Sequence, residues 1–320
     1  MQKPSHETTT DTLPIPIPTS PPGPSTPPAL GTDGRAPRIG TGLPIPYRSH
    51  KDPSRNAREC AAPSRRRRAE CAPTPAGTDS LPALCAHLHA RIHAFLHEDA
   101  ATDRLRNVQA QTRISLAVIT DALTRYSLSE ISLSYNGGKD CLVLLVLLLS
   151  CLGALPAAAL PALLPSVYIE SRHPFPEVDA FVTGSSRAYH LAVSRHSNAS
   201  MKAAFAEYLR ERQGVKCIFV GTRRTDPQGG GLTFFDQTDG GWPAFMRCHP
   251  VIDWHYAEIW TFIRHLGIPY CELYDRGYTS LGGTTDTHPN PALKAEGQEA
   301  RFRPAYELEM DEEERLGRDR

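Results

Sequence analysis

From residue 81 onward, apolar positions recur in two alternating rhythms. Leu81, Leu84, Leu88, Ile92, Phe95 and Leu96 share one face of a 3.6-residue period, and the spacing predicts a second helix over 103–126. Short β-branched or aromatic runs then appear at Ile131 to Tyr135, Val167 to Ile169, Leu191 to Val193 and Cys217 to Val220, with helical patterns over 140–152, 176–190 and 201–213 between them. The run from Leu142 to Leu149 is apolar at every position, so its helix has no solvent face and must pack on a sheet. Strands alternating with helices imply right-handed crossovers and a mostly parallel α/β sheet. In such a sheet ligands sit beyond the carboxyl ends of the strands, so the loops after Tyr135, Ile169, Val193 and Val220 are where chemistry is expected. The Ala/Pro-rich insert 153–165 reads as a surface loop. An amphipathic helix is expected within 250–267, with Asp253 as its N-cap, Gly267 at its end, and Ile259, Phe262, Ile263 and Leu266 in the core.

Composition changes this picture at the N-terminal end. Of 29 prolines, 16 fall in residues 1–80, a stretch rich in Ser, Thr, Gly and Arg that holds too few apolar groups to offset its chain entropy. It is expected to be a disordered arm, with one folded domain over 81–320. The formal net charge is +0, which points to neither nucleic acid nor a membrane as partner; Arg65 to Arg68 in the arm reads as a solvated charge run. Eight cysteines without a Cys-x-x-Cys pair give a reduced, intracellular pattern with no sequence-local zinc site, and the first residues lack an apolar signal region. His89, His93 and His97 share a helical face but have no carboxylate in ligand spacing, and read as a polar solvent face.

The candidate chemistry lies in the loops. Ser134-Tyr-Asn-Gly-Gly-Lys-Asp140 is a glycine turn between a strand and a buried helix, a construction that brings backbone N–H groups and a helix dipole onto phosphate. It is not a Walker A loop, because Asp140 stands where Ser or Thr would hold magnesium. Gly221-Thr-Arg-Arg-Thr-Asp-Pro227 supplies Arg223 and Arg224, an arginine fork for phosphate, with Asp226 able to orient them or to hold magnesium. Trp242, Phe245 and Trp254 near a glycine-rich turn suit a flat heteroaromatic ligand. The acidic C-terminal tail reads as a surface helix end whose Arg315 and Arg318 could fold over an anionic site.

Taken together, these blocks resemble the eukaryotic FAD synthases (FMN adenylyltransferases) of the ATP pyrophosphatase, PAPS reductase-like class. The match is carried by 134–140, 221–227, Thr238, Asp239, Trp242, Pro243, Trp260, 273–283, 290–293, 304–306 and 314–318. The resemblance implies a Rossmann-like, adenine nucleotide alpha hydrolase-like fold with helical additions at both ends. It implies transfer of AMP from ATP to FMN, giving FAD and pyrophosphate, with Mg2+. ATP would contact Leu133, Ser134, Asn136, Gly137, Gly138, Lys139, Asp140, Ile169, Thr222, Arg223 and Arg224. FMN or FAD would contact Thr222, Asp239, Gly240, Trp242, Pro243, Trp260 and Arg318. Catalysis would rest on Asn136, Asp140, Asp226, Arg315 and Arg318, with Asp140 on the metal. The expected partners are ATP, FMN and client apoflavoproteins, and the chain is expected to be a cytoplasmic monomer. A sulfonucleotide reductase or a sulfate-adenylating subunit on the same fold is the competing enzyme reading; the reductase would need a catalytic cysteine, and Cys141 is the only one in the phosphate loop. A non-enzymatic adaptor recruited through the arginine-rich arm is the third.

Overall fold

The helix after the glycine turn has no wet face: in α3 (Lys139–Leu152) every residue except Asp140 is buried. That burial fixes the architecture, because α3 needs apolar partners all round. In this computed structural model, which describes residues 78–197, 200–295, 297 and 301–319, it has them in the sheet and in α1 (Leu81–His97), α2 (Asp103–Arg125) and α6 (Tyr256–His265). The expected arm, with Arg65 to Arg68, lies outside the described residues apart from its last three. Ser80 and Thr102 start α1 and α2, their side chains accepting from the N–H groups of Ala83 and Leu105. His89, His93 and His97 lie on the exposed face of α1.

Six strands form one sheet in the order β3-β2-β1-β4-β6-β5. They are β1 (Ile131–Ser134), β2 (Leu164–Ile169), β3 (Leu191–His196), β4 (Cys217–Phe219), β5 (Phe235–Gln237) and β6 (Met246–Cys248), all parallel except β5. Between them run α4 (Pro176–Ala188) and α5 (Met201–Glu211). From β1 the chain winds outward through β2 and β3, then returns to the other side of β1 as β4. The reversal opens a crevice at the carboxyl ends of β1 and β4, where an open α/β sheet takes its ligand.

Four expectations need correction. The insert 153–165 is a loop only to Leu163: β2 starts at Leu164, and Pro165 fits because only β3 pairs there, the ladder with β1 starting at Ser166. β5 and β6 are missing from the predicted strands, since each has only three residues. Asp253 caps nothing; α6 starts after His255, whose N–H donates to Glu258, while Asp253 pairs with Arg224. The acidic tail is a 3-10 turn at Asp311–Glu313 followed by further turns, not a surface helix end.

Candidate active site

Two loops meet at the crevice. The first, 135–138, turns at Gly137, whose φ of +73° would strain any other residue, and whose added side chain would lie 2.8 Å from Val182. The exposed Asn136 is set by its own neighbours: its Oδ1 accepts from the Gly138 N–H (2.9 Å) and the Cys141 thiol (2.9 Å). This leaves the amide's donor end for a ligand's acceptor. Gly138 begins α3 without a side-chain cap, and the Lys139 N–H donates to the Tyr274 hydroxyl at 2.9 Å. The second loop leaves β4 at Val220. A side chain at Gly221 would lie 2.7 Å from the Cys141 nitrogen, so only glycine lets this loop touch the first turn of α3.

Under the meeting point lies a buried charge network. Arg223 is fully buried and faces Asp140 (2.8 Å), Asp226 (3.8 Å), Asp311 (3.5 Å) and Glu314. Lys139, 2% exposed, pairs with Asp140 at 3.0 Å and Glu314 at 2.5 Å. Four carboxylates thus face two cations, an excess of negative charge suited to a divalent ion. Burial works against the charge on Asp140, yet Arg223 and Lys139 outweigh it and hold its carboxyl below the usual range. Asp226 goes the other way, raised by burial and then by the charge of Asp140. His255 sits at the edge of the network, its pKa raised by the hydrogen bond to Asp311. Although Asp140 Oδ1 lies 2.8 Å from Arg223 Nε, the two are out of hydrogen-bond alignment, and this buried carboxylate oxygen has no hydrogen-bond partner.

The crevice therefore gathers Ser134, Asn136, Gly137, Gly138, Asp140, Thr222 and Asp226. Other expected residues take different places. Arg223 and Lys139 were read as phosphate contacts, but their charges are taken up by buried carboxylates. Arg224 points away and orders its own loop, bonded to Asp253 and to the carbonyls of Gly230 and Leu232. Leu133 lies inside the ladder, opposite Ser166 and Phe219, whereas Ile169 ends β2. Of the three aromatics expected to be exposed, only Trp242 is (37%); Phe245 and Trp254 are core residues. Trp242 stands with Asp239 on a turn whose Gly240 and Gly241 both have positive φ, held by Lys202 donating to the Gly240 carbonyl (3.1 Å), with Pro243 next in the chain. Trp260 is buried among Tyr256, Tyr270, Tyr274 and Tyr306, and so supports the phosphate loop from behind through Tyr274. It also borders a surface depression of about 470 Å³ whose lining includes none of the crevice residues.

In the tail, Arg315 is exposed, while Arg318 lies over Gly282 and 3.4 Å from Asp286. Glu314, Asp311 and Tyr274 escaped the sequence reading as site residues, because no spacing ties them to residues some 90 to 175 positions away. Cys141 is no nucleophile: its thiol donates into the loop, and burial pushes its pKa up to about 12. As the only cysteine in the phosphate loop, it leaves the reductase reading without a catalytic thiol there.

The sequence profile of the phosphoadenosine phosphosulfate reductase domain family matches residues 130–212 and 200–289. The probable FAD synthase of Schizosaccharomyces pombe is 42% identical over 227 residues, covering 70% of this chain and 84% of that protein. The flavin adenine dinucleotide synthase of Saccharomyces cerevisiae is 34% identical over 71% of this chain and 80% of its own length. Among solved structures, Candida glabrata FMN adenylyltransferase in complex with FAD and inorganic pyrophosphate superposes with a TM-score of 0.71. It is 29% identical, and the match covers 77% of this chain and 99% of that one.

Proposed function

Because the chain belongs to the FAD synthase family, we propose that the crevice between β1 and β4 is where AMP passes from ATP to FMN. The enzyme is an FMN adenylyltransferase, forming FAD and pyrophosphate. One observation carries the assignment of the site: the Gly221 loop abuts the first turn of α3, directly after the Asn136–Gly138 turn, at the point where the strand order reverses. An oxygen of the FMN phosphate attacks the α-phosphorus of ATP, the bond to the bridging oxygen breaks, and pyrophosphate leaves with that electron pair. The nucleophile is already an anion, so the protein's task is alignment and neutralisation of charge rather than proton removal.

In this reading the N–H groups of the glycine turn and the Asn136 amide hold the triphosphate. With Lys139 and Arg223 taken up by buried carboxylates, the transferring phosphate is assigned to Arg315 and Arg318 of the tail. Asp239 and Trp242 on their turn, with Gly240, Pro243 and Thr222, form the flavin side. Magnesium fits the residues present. Asp140 Oδ1 is buried without a hydrogen-bond partner, and Asp226 shares Arg223 with it. An ion held by one or two carboxylates plus substrate phosphates needs no cage built from protein ligands alone. The ion would neutralise charge building on the departing pyrophosphate.

Residues 81–320 serve as the catalytic domain, acting as a cytoplasmic monomer that releases FAD to apoflavoproteins. The described cysteines, free and buried, fit a reducing compartment. The decisive experiment incubates purified full-length chain with ATP, magnesium and FMN and separates the flavins. Stoichiometric FAD and pyrophosphate are expected; a folded chain that makes neither overturns the assignment.

A further inference from the structure

Asp140 and Glu314 share the same two buried cations. Lys139 Nζ lies 3.0 Å from Asp140 and 2.5 Å from Glu314, and the Arg223 guanidinium reaches Asp140 with Nε and Glu314 with Nη2. The two carboxylates are not equivalent. Glu314 is 5% exposed and takes an aligned hydrogen bond from each cation, whereas Asp140 is bonded by Lys139 alone, and its Oδ1 is left without a hydrogen bond. The chain around Glu314 is itself anchored: its carbonyl accepts from Thr279 Oγ1 at 2.6 Å, and Asn290 Nδ2 donates to the Glu313 carbonyl at 2.7 Å. These bonds tie the tail to the loop that carries Gly282, against which Arg318 packs.

We propose that Glu314 is a positioning residue that sets Asp140 for its divalent cation. By taking an aligned hydrogen bond from each of Lys139 and Arg223, it leaves Asp140 ion-paired to both but hydrogen-bonded by Lys139 alone, so that the lone pairs of Oδ1 remain for an ion. The same contacts seat the turn that presents Arg315 and Arg318. Without the Glu314 charge, Asp140 is the one remaining shared partner, and Arg223 Nε is free to turn into an aligned hydrogen bond with Oδ1, occupying the lone pair a metal would use. This inference rests on the reading that ATP and its metal bind in this crevice.

The test measures Mn2+ binding by electron paramagnetic resonance in the presence of α,β-methylene ATP, with no turnover required, on wild type, Glu314→Gln, Glu314→Asp and the exposed Glu312→Gln. Glu314→Gln should weaken Mn2+ by about tenfold, the usual cost of losing a partner behind a metal ligand. Glu314→Asp, which keeps the charge, should recover most of that loss, and Glu312→Gln should match wild type. Trypsin should cut after Arg315 faster in Glu314→Gln, because the turn is no longer seated. A merely structural role would lower the melting temperature while the folded fraction binds Mn2+ like wild type, and that result overturns the proposal. Should Glu314→Gln fail to fold, Thr279→Val, which removes the hydroxyl bonded to the Glu314 carbonyl, decides: weaker Mn2+ binding supports the proposal, and unchanged affinity overturns it. Wild type that binds no Mn2+ with the analogue and makes no FAD would instead sink the reading of the site itself.

Discussion

Gly221 lies so close to the first turn of α3 that a side-chain carbon there would sit 2.7 Å from the Cys141 backbone nitrogen and 2.9 Å from its Cα. Both obstacles are backbone, so no rotamer change relieves them. Gly221→Ala must therefore push the second loop of the crevice away from the first turn of α3. The expected result is a loss of about 1–3 kcal/mol in stability, the usual cost of overpacking, together with a fall in FAD formation larger than the folded fraction explains. Gly230→Ala, with nothing within 4 Å, is the control and should leave both unchanged. Normal turnover in Gly221→Ala would show that the loop need not touch α3.

The adjacent arginines should separate cleanly. Arg223 is fully buried among four carboxylates, and truncating one partner of such a network costs about 3–5 kcal/mol because uncompensated charges remain. Arg224 is partly exposed and orders only its own loop, so Arg224→Ala should cost no more than about 1 kcal/mol. Urea unfolding of Arg223→Met and Arg224→Met side by side reads the difference. Equal effects would contradict the placement of Arg223 inside the network.

This pair also shows what the sequence could reveal. The glycine turn, the uniformly apolar α3 and the alternation of strands with helices were legible because each is a local pattern whose physics is set within some twenty residues. Which arginine of Arg223 and Arg224 goes inward was not. The answer depends on Asp140 and Glu314, which lie far off in sequence and carry no periodic signal. Trp254 and Phe245 misled for a related reason. Beside glycines an aromatic residue suggests exposure, but β6 runs through this stretch: Phe245 fills the sheet's face, and Trp254 donates to Ser115 of α2. Three-residue strands leave too short a pattern to read.

Asp226 supplies a test in which activity and stability should move in opposite directions. Its pKa is raised by burial and by the neighbouring Asp140 charge. A carboxyl group that is harder to ionise when folded favours the folded state while protonated, and that contribution is lost as pH rises through the raised value. At neutral pH Asp226 is thus a cost to the fold. Asp226→Asn keeps an oxygen to accept the Arg223 N–H, now provided by Asp226 Oδ2 at 2.8 Å. The variant should melt higher than wild type at pH 7, and the gain should vanish below the ordinary carboxylate range, where wild-type Asp226 is also neutral. FAD formation should fall sharply. Calorimetric scans across pH check the sign: a variant less stable at pH 7 and equal at low pH would reverse it.

Arg318 is held in place yet incompletely used. Its guanidinium lies 3.4 Å from Asp286 and packs so tightly on Gly282 that a side-chain carbon there would come within 2.2 Å of Nη1, while its Nε is buried without a hydrogen-bond partner. A cation with an unspent donor suits the role proposed for it, closing on the transferring phosphate. Loss of such a charge costs on the order of a hundredfold in kcat, so Arg318→Ala should show that fall. Arg318→Lys should recover little, since an ammonium cannot reproduce the planar fork. Gly282→Ala provides an independent check, because it displaces the guanidinium without removing it and should lower kcat in the same direction. Asp286 keeps its charge chiefly through the hydrogen bond from Thr287, against the effect of burial and with Arg318 adding to it. Asp286→Asn should therefore loosen Arg318 and cost far less than its removal. Single-turnover rates with saturating ATP and FMN separate these cases, and wild-type rates in both Arg318→Ala and Gly282→Ala would take Arg318 out of the mechanism.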